Sequence, residues 1–173
     1  MGILPSYHCV TDTPAGRLRI ESDGNFVTGI RLAPTAAPTP ETPCAVLQQA
    51  VTELAEYFAG SRRVFEVPIR FAEGTPFRQR VWEELRHIPC GEVATYAEVA
   101  RRIGIPGGAR AVGMGCHANP LLIIVPCHRV VAAHGLGGFG FGLPLKKRLL
   151  RLEGWEFDER FPFTGKNRDT QKE

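Results

Sequence analysis

The segment from residue 75 to residue 117 constrains the fold most strongly, because it marks the starts and ends of successive helices with local signals. Thr75 is a good helix N-cap, and Pro76 occupies the first helical position, where its missing N–H costs nothing. Apolar residues then recur at helical spacing on one face, which predicts a helix over 77–88.

Two shorter helices follow in the same segment. Thr95 caps the first of them, and Glu98 three residues later completes a capping-box pattern. This helix ends near Ile103 at a glycine-rich break, after which residues 109–117 predict a third helix. Two short helices joined by a glycine-containing turn are typical of a helix-turn-helix, although many such pairs bind nothing.

The charge of the chain is concentrated in one region. Residues 75–154 carry eleven Lys or Arg and five Glu, a net charge of +6, whereas residues 1–74 carry −2 and residues 155–173 carry −1. A basic segment between acidic flanks indicates a polyanionic partner such as nucleic acid. A basic face that is merely solvated explains the charge equally well.

The first part of the chain has a mixed pattern. Residues 17–20 and 26–32 predict two strands of a hairpin around the turn signal of residues 22–25. Apolar residues over 44–58 fall at helical spacing, and residues 64–69 predict a further strand.

These patterns together predict the fold class and the domains. We expect an α/β N-terminal domain with a small antiparallel sheet over 1–74, and a mostly α C-terminal domain over 75–154 that carries a helix-turn-helix, with or without a wing. Residues 155–173 form a C-terminal tail that we expect to be ordered no further than Phe163.

Other function classes are disfavoured by the composition. The longest apolar run, residues 121–125, is strand-sized and far too short to span a membrane. The N-terminus lacks a secretory signal pattern, and the five cysteines show no regular framework, so we expect reduced thiols and a cytoplasmic protein.

Cys127 is the candidate nucleophile. A cysteine that follows five aliphatic residues is usually a small core residue, but His128 stands next to it and could supply a thiolate. Adjacent side chains point in different directions, so direct contact is not guaranteed and a bridging water could join the two. Glu153, at the end of the last predicted helix, is a candidate carboxylate for orienting His128.

The run Pro126-Cys127-His128-Arg129-Val130 resembles the active-site signature of the 6-O-alkylguanine-DNA alkyltransferases, the methylated-DNA–protein-cysteine methyltransferases. The similarity extends over residues 75–154. Further matching motifs occur in the same order and spacing: Thr95-Tyr96, Arg110-Ala111-Val112-Gly113, Asn119-Pro120, Gly142-Leu143, Leu149-Leu150 and Glu153-Gly154.

The resemblance implies a role for each catalytic residue. Cys127 would accept the alkyl group, His128 would deprotonate it through a water, and Glu153 would hold the histidine in the required tautomer. Asn119 would brace the active-site turn, and Tyr96 would donate a proton or hydrogen bond to the departing guanine. The transfer would be irreversible and stoichiometric, from the 6-oxygen of guanine or also the 4-oxygen of thymine, and would need no cofactor.

The resemblance also implies how DNA is bound. The protein would be a monomer that acts on double-stranded DNA containing alkylated guanine, with no membrane involved. Arg110 would fill the gap left in the base stack by the flipped nucleotide. The other residues implied in contacting DNA or the base are Ala111, Gly113, Val130, Gly140 and Phe141.

Some features differ from those of relatives. Gly140-Phe141 stands where some relatives carry Ser-Gly, and Leu122 where some carry Pro, which bears on the width of the pocket. Some relatives hold zinc in the N-terminal domain. Here only His8, Cys9 and Cys44 are soft ligands in that region, one short of a closed site, so we expect no metal.

Three alternative functions stay open at this point: a sensor of alkylation damage that binds without transfer, a helix-turn-helix transcription regulator, and a cysteine hydrolase. The presence of Cys127 argues against the sensor. The small and apolar residues of 109–115 argue against the regulator, because few of them can read base edges.

Overall fold

A computed structural model describes residues 6–39, 42–158 and 161–167. The chain forms two compact units. The first comprises the residues up to Glu73 together with Pro120–Leu122, and the second comprises Gly74–Asn119 and the residues from Ile123 onwards. Each unit is built around its own set of helices and strands.

The first unit contains an antiparallel sheet of three strands in the order β1 (Tyr7–Thr13), β2 (Gly16–Ser22) and β3 (Val27–Leu32). The predicted hairpin of β2 and β3 is confirmed. The side chain of Asp23 accepts hydrogen bonds from the next turn residues, the N–H groups of Asn25 and Phe26, which explains the tight reversal. Strand β1 was not predicted from the sequence.

The predicted helix over 44–58 is confirmed as α1 (Ala45–Phe58), which packs against β1 and β2. The predicted strand over 64–69 is wrong, because only Ile69 makes a bridge, to Val27. The N–H groups of Glu66 and Val67 instead donate to the buried carboxylate of Glu53 at 2.9 and 3.1 Å. Pro68 has no N–H to donate, which disfavours a longer strand here, and the pairing with Val27 is limited to its two hydrogen bonds with the Pro68 carbonyl and the Arg70 N–H.

The second unit contains the other α-helices among the described residues: α2 (Pro76–Leu85), α3 (Tyr96–Arg102), α4 (Ala109–His117) and α5 (Leu143–Leu152). Helices α2, α3 and α4 pack on one another. Two short strands pair in parallel: β4 (Ala94–Thr95), which lies between α2 and α3 in the chain, and β5 (Val130–Val131), which lies between α4 and α5.

The predicted caps of the second unit are confirmed. The Thr75 hydroxyl accepts from the N–H of Arg78, and Thr95 and Glu98 form both hydrogen bonds of the capping box. Helix α2 ends at Leu85, before the predicted residue 88, because Arg86 to Ile88 form a turn.

The apolar run over 121–125 is divided between the two units. The N–H of Ile30 donates to the Pro120 carbonyl at 2.8 Å, and the N–H of Leu122 donates back to the Ile30 carbonyl at 3.1 Å, so residues 120–122 extend the sheet beside β3. Ile123 then has φ of +75°, a conformation that β-branched residues rarely adopt. The backbone therefore turns sharply just before Cys127.

The tail begins with an antiparallel pair, β6 (Trp155–Asp158) and β7 (Phe161–Asn167), so regular structure extends beyond the expected limit of Phe163. The Trp155 indole N–H donates to the Gly91 carbonyl at 3.1 Å and ties the start of this pair to the second unit. None of the helices in the described ranges is long and apolar enough to cross a membrane.

Candidate active site

The second unit contains a cavity of about 750 Å³ with Cys127 in its wall. The cavity is lined mainly by α4 and by the glycine-rich loop before α5, together with residues of α2 and α3. Its lining consists of Arg78, Tyr96, Ala109, Arg110, Gly113, Met114, Cys116, His117, Ala118, Cys127, Gly138, Phe139 and Gly140.

Cys127 begins a short 3-10 turn and is only 4% exposed. The side-chain amide of Asn119 donates to the Val125 carbonyl at 2.8 Å and to the Cys127 Sγ at 3.2 Å. Burial raises the pKa of the Cys127 thiol, while the hydrogen bond from Asn119 and the charge of Lys146 act to lower it. Asn119 thus fixes both the turn and the sulfur that the turn presents.

His128 and Glu153 are in contact although they lie 25 residues apart in the chain. The His128 Nε2 lies 2.7 Å from the Glu153 Oε1, and both side chains are buried. The other ring nitrogen, Nδ1, is also buried, and no described residue forms a hydrogen bond with it. If Nε2 carries the ring proton and donates a hydrogen bond to Glu153, then Nδ1 has a lone pair that can accept a proton.

Arg129 holds the same carboxylate from the other side. Its Nε and Nη2 each lie 2.9 Å from an oxygen of Glu153, and its Nη1 donates to the Ile88 carbonyl at 2.6 Å. The N–H of Gly91 also donates to Glu153, at 3.3 Å. The carboxylate is therefore oriented by both Arg129 and the Gly91 N–H in addition to its contact with His128.

This network sets the charge of each member. Burial acts to raise the pKa of Glu153, but the charge of Arg129 and the hydrogen bonds from His128 and Arg129 outweigh it and hold the pKa well below its usual range. Burial lowers the pKa of His128, more than the neighbouring carboxylate raises it. At neutral pH the pair is consequently a carboxylate and a neutral imidazole, and Arg129 supplies the compensating charge.

A neutral imidazole beside a buried thiol, in the wall of an open cavity, can act as a base toward that thiol. Comparison with known proteins gives the same indication. A sequence model of the family described as 6-O-methylguanine DNA methyltransferase, DNA binding domain, matches residues 76–155. The methylated-DNA–protein-cysteine methyltransferase of Mycobacterium tuberculosis is 44% identical over 149 residues, which cover 82% of this chain and 88% of the relative.

The chain belongs to the 6-O-methylguanine DNA methyltransferase family. Another relative, the methylated-DNA–protein-cysteine methyltransferase of Methanosarcina acetivorans, is 39% identical over 155 residues, covering 86% of this chain and 98% of the relative. Among solved structures, the O6-methylguanine methyltransferase of M. tuberculosis has a TM-score of 0.78 at 40% identity, covering 86% and 93% of the two chains. M. tuberculosis OGT in complex with DNA has a TM-score of 0.76 at 43% identity, covering 84% and 91%.

Tyr96 stands at the start of α3 with its ring in the cavity wall. Its hydroxyl donates to the Gly138 carbonyl at 3.3 Å, and burial raises its pKa to about 12. A Cβ at Gly137 would lie 2.7 Å from the Tyr96 ring, and Gly137 has φ of +69°. Glycine at this position therefore allows the loop to lie directly against the tyrosine.

The residues that the family resemblance implies in DNA binding are not all at the cavity. Arg110, Gly113 and Gly140 line it. Ala111 and Phe141 do not, although the Phe141 ring packs edge-on against Phe139, which does; their ring centroids are 5.6 Å apart. Val130 is fully buried behind the site.

Lys146 is a buried residue of the site that the sequence interpretation missed. Its Nζ donates to the carbonyls of Val130 at 2.6 Å, Leu136 at 2.5 Å and Gly138 at 3.0 Å. Burial lowers its pKa to about 8. In the sequence Lys146 resembles the other basic residues of a surface helix. The one signal for its burial is its position on the buried face of that helix, where an apolar residue would be expected.

Cys116 and Arg78 also line the cavity, and neither was predicted there. Burial, followed by the proximity of Cys127, raises the pKa of Cys116 to about 12, so this second thiol is protonated at neutral pH. In the first unit, burial and the neighbouring Cys44 raise the pKa of Cys9 to about 11.

Proposed function

We propose that this protein repairs alkylated guanine in DNA by transferring the alkyl group from the 6-oxygen of the base to its own Cys127. The observation that carries the proposal is the placement of Cys127 in the wall of a cavity of about 750 Å³, with Asn119 hydrogen-bonded to its sulfur and with the next residue, His128, paired to the buried carboxylate of Glu153. The protein acts on double-stranded DNA, and the 4-oxygen of thymine is a second substrate position.

The first step of the proposed reaction is the formation of the thiolate. Burial disfavours a charged sulfur, so Cys127 needs a base at the moment of reaction. Glu153 accepts a hydrogen bond from the Nε2–H of His128, which leaves Nδ1 as the acceptor, and a water between Nδ1 and Sγ would carry the thiol proton to Nδ1. Arg129 keeps Glu153 charged throughout.

In the transfer itself a bond forms between Sγ and the alkyl carbon as the bond from that carbon to the guanine oxygen breaks. The departing guanine carries the electron pair and a negative charge. Tyr96 lies in the cavity wall, its raised pKa keeps the hydroxyl protonated at neutral pH, and this hydroxyl would donate a hydrogen bond to the anion. The thioether product has no leaving group, so each molecule accepts one alkyl group and is consumed.

The target atom lies inside a duplex, so the nucleotide must be turned out into the cavity. We assign this task to α4, acting as the second helix of a helix-turn-helix whose first helix is α3. Arg110 is exposed at the cavity mouth and would enter the base stack, while Ala111 and Gly113 would allow close approach of the helix to the DNA. Gly140, Phe141 and Val130 would form or support the surface on which the base rests.

The experiment is intact-mass spectrometry after incubation with a duplex that contains one O6-methylguanine. The protein should gain the mass of one CH2 group, and peptide mapping should place it on Cys127. Cys127→Ser should gain nothing, whereas Cys44→Ser, which changes a thiol in the other unit at the N-cap of α1, should react as the unaltered protein does.

Other results would contradict the proposal in distinguishable ways. Binding without any mass gain would support a damage sensor, and repaired DNA with unmodified protein would support turnover by a hydrolase. Label on Cys116, the other thiol of the cavity, would remove Cys127 as the acceptor. Strong selection of one undamaged sequence would favour a transcription regulator.

A further inference from the structure

Met114 is the large apolar side chain that α4 leaves in solvent. It is 64% exposed, although burial would be expected to stabilise a residue of this kind. It lines the cavity of Cys127, on a helix whose other cavity residues include the small Ala109 and Gly113. Burying this side chain against a partner would remove its apolar surface from water and stabilise the complex.

The charge around Met114 indicates what that partner is. Arg78 from α2 and Arg110 from α4 line the same cavity, and none of its described lining residues is acidic. A polyanion is therefore favoured over an apolar protein surface as the occupant. Arg110 and Met114 are four residues apart, so they project from the same face of α4, separated by about 6 Å along its axis.

This separation can be compared with the spacing of DNA. Successive nucleotides of one strand rise about 3.4 Å, so a side chain that lies about 6 Å from Arg110 along the helix axis reaches one to two base steps away from it. Methionine is unbranched and polarisable, which suits an irregular surface. Apolar side chains, methionine among them, are inserted between base steps by proteins that bind and kink DNA through the minor groove.

We propose that Met114 packs as an apolar wedge against the base step beside the extruded alkylguanine, in the minor groove. This inference rests on the proposed function and adds a contact that works with Arg110. Arg110 fills the gap in the stack, and Met114 stabilises the distorted step next to it. The alkylated base then faces a cavity whose mouth is closed by DNA on the side of α4.

The test measures binding to a duplex with one O6-methylguanine, in a Cys127→Ser background so that no transfer occurs. Met114→Ala should weaken binding about tenfold, as expected for losing the burial of most of one large apolar side chain. Met114→Leu, which preserves the apolar volume, should restore most of the affinity. Leu152→Ala is the matched control, because Leu152 is a partly exposed leucine that does not line the cavity, and it should bind as the parent does.

The salt dependence separates an apolar contact from an ionic one. Met114→Ala should leave the slope of log affinity against log salt unchanged, whereas Arg110→Ala should reduce that slope by about 1 if the guanidinium displaces counterions. In the protein that retains Cys127, Met114→Ala should slow alkyl transfer more from duplex DNA than from the free alkylated base.

Two results would overturn the inference while leaving the proposed function intact. One is that Met114→Ala binds the damaged duplex as tightly as the parent protein does. The other is a faster reaction of Met114→Ala with the free base, which would make Met114 a cover over the cavity. If the unaltered protein neither binds the duplex nor gains an alkyl group, the proposed function fails and the wedge fails with it.

Discussion

Replacing Lys146 with methionine tests whether a buried ammonium holds the active-site loop. Methionine has a similar volume but donates no hydrogen bond to the carbonyls of Val130, Leu136 and Gly138. Each buried carbonyl that loses its donor costs about 1–3 kcal/mol. The cost of burying the charge offsets part of this loss, because a pKa of about 8 corresponds to a penalty of about 3 kcal/mol at pH 7. We expect Lys146→Met to be less stable by about 3 kcal/mol at pH 7.

The pH dependence gives a sharper test because its sign is fixed by the lowered pKa. Between about pH 8 and the ordinary lysine pKa the unfolded chain binds more protons than the folded protein, so the free energy of unfolding rises with pH across that window. The difference in free energy of unfolding between the unaltered protein and Lys146→Met should grow by about 1.4 kcal/mol from pH 7 to pH 9.

Urea denaturation of both proteins at the two pH values measures this difference, and other titrating groups largely cancel in the subtraction. Lys147→Met is the matched control, since it removes a neighbouring, partly exposed charge and none of the three hydrogen bonds. A difference that stays constant or shrinks from pH 7 to pH 9, or an equal rise with Lys147→Met, would refute the reasoning.

Two further changes test the network and the packing. Glu153→Gln should slow transfer, because the amide can donate to His128 Nε2 and favour the wrong tautomer. It should also move the acid limb of the pH–rate profile to lower pH, because the carboxylate that raises the His128 pKa is gone. An unchanged rate and profile would contradict this. Gly74→Ala should lower the free energy of unfolding by about 1–3 kcal/mol more than Gly60→Ala. Both glycines have positive φ, but only at Gly74 would the new Cβ meet the buried Trp82 ring, at 2.4 Å; equal losses measured by urea denaturation would show that the ring can move.

The signals that predicted the helices are local. Thr75 and Thr95 cap helices whose first turns they contact within three residues, and Glu98 returns a hydrogen bond over the same distance. The hairpin turn depends on Asp23 and the two or three residues after it. Because both partners of each such bond lie within one turn of chain, the sequence alone determines them.

The site was predictable in part. The signature around Cys127 and the candidates His128, Glu153 and Asn119 could be named from the sequence, because the family resemblance covers all of them. The sequence named Glu153 only as a candidate partner of His128, because the two residues lie far apart in the chain and no local pattern shows whether they meet. The 3-10 turn at Cys127 and the end of α5 bring them to 2.7 Å.

Only the tertiary structure decided the features that depend on distant partners. Glu53 takes the N–H groups of residues 66 and 67 and prevents the predicted strand, and Arg129 reaches Glu153 across 24 residues. Lys146 lies in the interior because the carbonyl of Val130 in β5 and those of Leu136 and Gly138 in the loop converge on its ammonium. Sequence patterns record the average preference of a residue for water or core. A buried charge is stable only where specific partners compensate the loss of water, and those partners are assembled by folding.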